Sequence, residues 1–218
     1  MIWLLVLPIG YLLGSIPTSI VVGNVFFGKD IREHGSGNAG ASNAFRVFGG
    51  AAGLGVVAGD IGKGAAAVLI AGLFPAPEAM TPAILGFTAG VAAIVGHIWT
   101  IFARFKGGKG VATAGGVLLA LYPVSFAGAF LVFIVALVLS GYTSLGSILA
   151  AISFPIIMMV VVTTGIHDVP LFLRYLSVPL AALILFTHRS NFGRLMRGEE
   201  NRFERVMIFR PRPRRRDK

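Results

Sequence analysis

Apolar runs separated by short polar connections fill almost the whole chain, and nothing else limits its fold as strongly. About 20 consecutive apolar residues suffice to cross the hydrocarbon core of a bilayer as a helix. Inside that core each backbone N–H and C=O must be paired within the segment, so such runs become helices. They lie at residues 1–22, 47–73, 83–101, 124–140, 145–164 and 170–187. Charge agrees with this reading, since 13% of the 218 residues are charged against about 25% in soluble domains. A soluble enzyme, a nucleic-acid binder or a disordered tail would need more charged surface. Without cysteine, the chain has no disulfide, no thiolate metal site and no thioester intermediate on the protein.

The net charge of +10 is unevenly placed. Residues 188–218 carry eleven Lys or Arg against Glu199, Glu200, Glu204 and Asp217, whereas residues 1–187 carry eight against five acidic residues. Basic residues beside a membrane segment stay on the cytoplasmic side and attract anionic lipid at about 1 kcal/mol each. Residues 201–218 therefore read as a basic cytoplasmic tail whose partner is anionic lipid, and residues 1–200 as the membrane domain. No Lys or Arg precedes Lys29, so the start lacks the positive region of a cleavable signal peptide and reads as a first span. The apolar piece Val111–Tyr122 is short for a span and is stopped by Pro123. If it crosses, the fold class is all-α: a polytopic bundle of seven transmembrane helices, N-terminus outside and C-terminus cytoplasmic. The loops 28–46, 102–110 and 141–144 then share a side with the tail. If it does not cross, the last loop and the tail change sides, which the basic tail argues against.

Two loops on that side carry unusual chemistry. The first contains Gly35-Ser36-Gly37-Asn38-Ala39-Gly40-Ala41-Ser42-Asn43, with Arg46 following. Its G-x-G-x-x-G spacing follows a membrane span, not the strand that a dinucleotide site requires. Glycines still let backbone N–H groups turn toward an anion, and a helix opening just after them favours phosphate. An ordinary flexible turn is the competing reading. The second loop, Lys106-Gly107-Gly108-Lys109-Gly110, also precedes a helix and lacks Walker A spacing. Its lysines read either as membrane anchors or as an anion site, the glycines favouring the anion site. Asp60 and Lys63 stand three apart inside a span, where ionisable groups are costly and are paired or functional. His97 reads as a helix-end hydrogen-bonding residue. His188 opens a polar run with Arg189, Ser190 and Asn191 at the same face. Gly62-Lys63-Gly64 faintly echoes Gly108-Lys109-Gly110.

Neither a G-x-S-x-G nor an H-E-x-x-H occurs, no His is followed five positions later by Asp, and nothing suggests a metal or another cofactor. Three classes stay open at this point, an enzyme with an anion site at one membrane face, a transporter of an anionic solute, and a structural membrane protein with a lipid-binding tail, which leaves the Ser/Asn/Gly loops unexplained. Transporters place their polar residues near the bilayer midplane, whereas here most gather at one face.

The motifs together resemble the PlsY family of bacterial acyl-phosphate–glycerol-3-phosphate acyltransferases. The likeness rests on Gly14-Ser15-Ile16-Pro17, the loop Gly35–Asn43, Asp60 with Lys63-Gly64, Gly96-His97 through Thr113, Ser140–Ser147, and His188–Glu200. Ser42 replaces a usual Thr, and Ala39 and Thr100 replace common prolines. The resemblance implies transfer of an acyl chain from acyl phosphate to the sn-1 hydroxyl of glycerol 3-phosphate, at the cytoplasmic face of the bacterial inner membrane. It implies that the loop with Gly35, Ser36, Gly37, Asn38, Gly40, Ser42 and Asn43 cradles the acyl phosphate. It further implies that Ser36, Arg46, Lys106, Ser144, His188 and Asn191 hold glycerol 3-phosphate, with His188, Ser36 and Lys106 nearest the chemistry. Lys109 with Gly107 and Gly108 is a further phosphate site. His188 is expected to bind substrate, with a substrate phosphate taking the proton.

Overall fold

In the computed structural model, residues 2–76 and 81–208 are described, except for the side chains of Trp3 and Arg205. The expected outer loop at 75–82 and the basic tail thus lie partly outside the described residues, and Phe209 to Lys218 lie wholly outside them. Among the described residues there are ten α-helices and no strand. They are α1 (Trp3–Ser15), α2 (Thr18–Phe27), α3 (Ala41–Val47), α4 (Gly50–Ala71), α5 (Pro82–Ile98), α6 (Val111–Leu121), α7 (Pro123–Ser140), α8 (Thr143–Thr163), α9 (Leu171–Thr187) and α10 (Arg189–Met196).

Five stretches are long and apolar enough to cross a membrane: Leu4–Phe27, Gly50–Ala71, Pro82–Ala103, Pro123–Ser140 and Thr143–Thr163. A sixth is the pair α9 and α10, bent by 58° at His188. The first is longer than expected and contains a break, because Pro17 has no N–H to continue the helical ladder. Helix α6 has 11 residues, about half of what a straight crossing needs. The helix expected to open after the first glycine-rich loop is α3, a piece of 7 residues. Gly49, with φ 90°, separates it from α4.

Small residues set the closest helix contacts. Helix α1 packs on α5, and α4 on α6. A Cβ at Gly14 would stand 1.9 Å from the Ala93 carbonyl oxygen, and one at Gly96 would stand 2.2 Å from that of Tyr11. Between α4 and α6, a Cβ at Gly64 would meet the Thr113 oxygen at 2.1 Å, and one at Gly116 would meet the Ile61 oxygen at 1.9 Å. Close backbone approach is how helices associate when lipid offers no hydrophobic drive between them. The echo between Gly62-Lys63-Gly64 and Gly108-Lys109-Gly110 marks no repeat. Gly64 lies within α4, whereas Gly110 adopts φ 84° before α6.

Gly64→Ala forces α4 and α6 apart against backbone atoms and should cost about 1–3 kcal/mol. Gly62→Ala, with open space around its Cβ, should be neutral or gain up to about 1 kcal/mol of helix propensity. Thermal unfolding of the two variants in the same detergent checks the contrast.

Candidate functional site

The first glycine-rich loop is folded around Asn43. Its Nδ2 donates to the carbonyls of Ile31 (3.1 Å), His34 (2.9 Å) and Asn38 (3.1 Å), and its Oδ1 accepts from the Ser36 N–H at 2.9 Å. Asn43 is buried and spends its amide on the loop itself, so it shapes the cradle whose cavity it also lines. Gly35 adopts φ 61°, and a Cβ there would strike Asn43 Oδ1 at 2.3 Å. The result is a turn that presents Ser36, Asn38, Gly40 and Ser42 to a cavity. Gly35 and Gly37 do not line that cavity; they permit the turn.

The second loop is pressed against the end of α5. Gly107 N–H donates to the Ile98 carbonyl and Gly108 N–H to that of His97, each at 3.1 Å. A Cβ at Gly108 would fall 2.2 Å from His97 Nε2. These glycines cap α5 and let two segments touch, so the expected anion-binding role of Gly107 and Gly108 is not what their geometry serves. The two lysines separate in the same way. Lys106 is exposed and does not line the cavity, whereas Lys109 does, its Nζ donating to Asn191 Oδ1. Thr187 Oγ1 donates to the Lys109 carbonyl at 3.0 Å, tying this loop to the end of α9.

The cavity measures about 590 Å³ and has two characters. Its polar end holds Ser36, Arg46, Lys109, Ser144, His188 and Asn191, drawn from five separate segments. Ser144 Oγ is buried there and has no hydrogen-bond partner among the described residues. A buried hydroxyl left unpaired costs about 1–3 kcal/mol, and a ligand with acceptor oxygens would relieve that cost. Its other arm is apolar, walled by Phe126, Phe130 and Phe133 of α7 together with Leu54, Val57 and Ile61 of α4. Phe130 stacks with both neighbours, at 5.7 and 6.1 Å between ring centroids. The Phe spacing of four and three residues signals this face in the sequence, although Phe is also common in any buried helix.

His188 lies one residue beyond α9. Its Nδ1 is 2.8 Å from the Ile184 carbonyl, which only accepts, so Nδ1 carries the proton and Nε2 offers a lone pair. The ring is buried and lies beside Lys109. Burial, then Arg194, lowers the pKa of Lys109 to about 8, partly offset by Glu200. Arg194 and Glu200 also line the cavity, and Glu200 accepts from Asn191 Nδ2 (2.8 Å) and Arg194 Nε (2.7 Å). Phe203 lies against the Arg46 guanidinium. Sequence reasoning gave none of these three a role, because their partners are distant in the chain or cluster only in space.

Deeper in the bundle, Asp60 and His97 face the same cavity. Asp60 Oδ1 accepts from Lys63 Nζ at 2.8 Å and Thr18 Oγ1 at 2.9 Å, and lies 3.5 Å from His97 Nδ1. Lys63 Nζ also donates to the Ile16 carbonyl at 2.7 Å, at the Pro17 break. These residues pair with one another and support the floor of the site. Among the described residues, no group of three or more His, Asp or Glu is placed to hold a metal ion.

The sequence profile of the glycerol-3-phosphate acyltransferase family matches residues 4–198. The glycerol-3-phosphate acyltransferase of Chlorobaculum parvum is 45% identical, covering 92% of this chain and 96% of that protein. That of Geobacillus kaustophilus is 43% identical, covering 90% and 93%. Crystal structures of PlsY, an integral membrane glycerol 3-phosphate acyltransferase, superpose with TM-scores of 0.81 for the glycerol 3-phosphate form and 0.78 for the lysophosphatidic acid form. They are 36% and 34% identical, and each match covers 92% of this chain and 94% of the other.

Asp60→Ala should leave Lys63 as an uncompensated buried charge and cost about 3–5 kcal/mol, whereas Asp60→Ala combined with Lys63→Met should recover much of that loss. Unfolding temperatures in detergent decide this. Equal destabilisation by the single and double variants would remove the pairing argument.

Proposed function

The chain belongs to the glycerol-3-phosphate acyltransferase family, and from that premise we propose that it transfers an acyl chain from acyl phosphate to the sn-1 hydroxyl of glycerol 3-phosphate. The observation that carries this reading is the cavity with two characters. Cations and an unpaired hydroxyl gather at one end, and a phenylalanine-lined arm runs from it between α4 and α7, where Leu54 and Phe130 are exposed on the apolar exterior. A phosphate and a long apolar chain need such a pair of environments side by side. The bundle, with α6 as a short seventh crossing, has its N-terminus outside and this site at the cytoplasmic face of the bacterial inner membrane. The two basic loops and the basic tail support that orientation.

In this reading the Ser36–Ser42 turn holds the acyl phosphate, and Arg46, Ser144, His188 and Asn191 hold glycerol 3-phosphate. Lys109 neutralises phosphate charge between them. Lys106 reaches the acceptor only by turning inward from its exposed position. The sn-1 oxygen attacks the acyl carbon, the bond from that carbon to the phosphate oxygen breaks, and the hydroxyl proton leaves with the phosphate. Ester and inorganic phosphate are the products. An acyl phosphate has a good leaving group, so positioning and charge stabilisation carry most of the catalysis. His188 Nε2 accepts a hydrogen bond from the hydroxyl and orients it, while the proton goes to the phosphate.

Purified protein in liposomes with acyl phosphate and glycerol 3-phosphate should release 1-acyl-glycerol 3-phosphate and phosphate in equal amounts. Turnover with an acyl thioester but not with acyl phosphate would overturn the donor assignment. Arg46→Ala should lower kcat/KM about ten- to a hundredfold.

The pH profile follows from Lys109, whose charge is present below about pH 8 and lost above it. Thus kcat/KM for glycerol 3-phosphate should fall as pH rises through about 8, and Lys109→Arg should move that limb upward. His188→Gln, which keeps a side-chain hydrogen-bonding group, should retain kcat within about tenfold. A collapse of kcat at unchanged KM would make His188 the base.

A further inference from the structure

Residues 199–208 follow the last family-matched residue and form a strap over the polar end of the cavity. The strap is fastened to the α7–α8 corner. Phe203 N–H donates to the Gly141 carbonyl at 2.8 Å, Ile208 N–H donates to that of Val138 at 3.0 Å, and the Arg202 guanidinium lies 4.7 Å from the centroid of the Tyr142 ring. Asn201, Phe203 and Val206 line the cavity from this side.

Two of its side chains grip residues that the proposed reaction uses. The Arg46 guanidinium sits 5.1 Å from the centroid of the Phe203 ring. Contact with a ring engages the flat face of a guanidinium and leaves the N–H groups at its rim free for a phosphate. Glu200, 7% exposed, takes Nδ2 of Asn191 and Nε of Arg194. A carboxylate only accepts and a lysine only donates. Glu200 and Lys109 between them therefore fix which way the Asn191 amide points. Neither contact blocks its residue: Arg46 keeps its donors, and Asn191 keeps one N–H.

We propose that the strap is a working part of the substrate site, in which Phe203 and Glu200 are positioning residues that hold Arg46 and Asn191 ready for the acceptor's phosphate. This rests on the assignment of Arg46 and Asn191 to glycerol 3-phosphate given above.

Steady-state kinetics of the full-length protein test it. Phe203→Leu keeps apolar bulk and removes the aromatic face. It should raise KM for glycerol 3-phosphate about three- to tenfold while kcat and KM for acyl phosphate stay within about twofold. Phe203→Tyr should restore most of that loss, and in an Arg46→Ala background Phe203→Leu should add nothing. If Arg46→Ala leaves KM for glycerol 3-phosphate unchanged, the phosphate assignment itself is wrong. If Arg46→Ala raises it and Phe203→Leu does not, the strap is only a covering. A uniform loss of all parameters with a lowered unfolding temperature, not rescued by Tyr, also overturns the proposal. Glu200→Gln supplies a second readout. Lys109 faces Arg46, Arg194, His188 and Glu200, and of these only Glu200 supports its charge. The alkaline limb of kcat/KM should therefore move to lower pH and KM for glycerol 3-phosphate should rise. A fall in KM would instead show the carboxylate competing with substrate phosphate.

Discussion

Pro17 breaks the first apolar stretch within a bundle that tolerates no unpaired backbone. The break turns the carbonyls of Ser15 and Ile16 out of the helical ladder, and side chains from two other helical segments meet them. Thr100 Oγ1 donates to Ser15 and Lys63 Nζ to Ile16. Bringing Lys63 inside then requires a counter-charge, supplied by Asp60, which is steadied by Thr18 and approached by His97. The non-helical backbone at Ile16 and Pro17 thus draws α1, α2, α4 and α5 onto a single polar node. That node lies beneath the cavity, and through His97 it seats the second loop, since Gly108 approaches that ring more closely than any other residue type allows.

Above the node, the site is a convergence of short segments at helix ends. The Asn43-centred turn, the α5–α6 loop, the start of α8, the α9–α10 bend and the strap each contribute side chains. Helix ends suit this use, because they carry backbone groups not committed to a ladder. The helices below supply rigidity, and α4 with α7 supplies the apolar arm. The proposed transfer from an acyl phosphate needs held phosphates and a dry acyl chain more than it needs a strong base. The buried imidazole of His188, its Nδ1 tied to the Ile184 carbonyl, fits that economy.

The apolar runs and helix ends were legible within a few residues, because membrane burial makes hydropathy a direct readout of length. The break at residues 16–17 was less so: Pro17 is visible, but a proline in an apolar run reads equally as a kink or an end. Loop chemistry was legible in kind and not in detail. Gly107 and Gly108 looked like donors to an anion, and the structure spends their N–H groups on α5. Asn43 looked like a ligand, and in the structure its amide staples its own loop at the cavity wall. In both cases the residue type fits either use, and only the identity of the nearest acceptor decides between them. Glu200 closes a segment that carries the family likeness, yet nothing in the sequence assigned it a partner, and Phe203 carried no signal at all, since Asn191, Arg194 and Arg46 are matched to them by space alone.

The sequence by itself determined that this chain is a multi-pass helical membrane protein with its scarce charges and its glycine-rich loops confined to a few places. Hydropathy and charge act locally, residue by residue along the chain, so composition and order suffice to state them. The tertiary structure decided which of those few charges meet. It turned Lys109 inward and left Lys106 outward, paired Asp60 with Lys63 under the floor, and laid the strap against Arg46 and Asn191. Such choices depend on how closely backbones approach and on which neighbour satisfies each donor, and those are properties of the packed bundle.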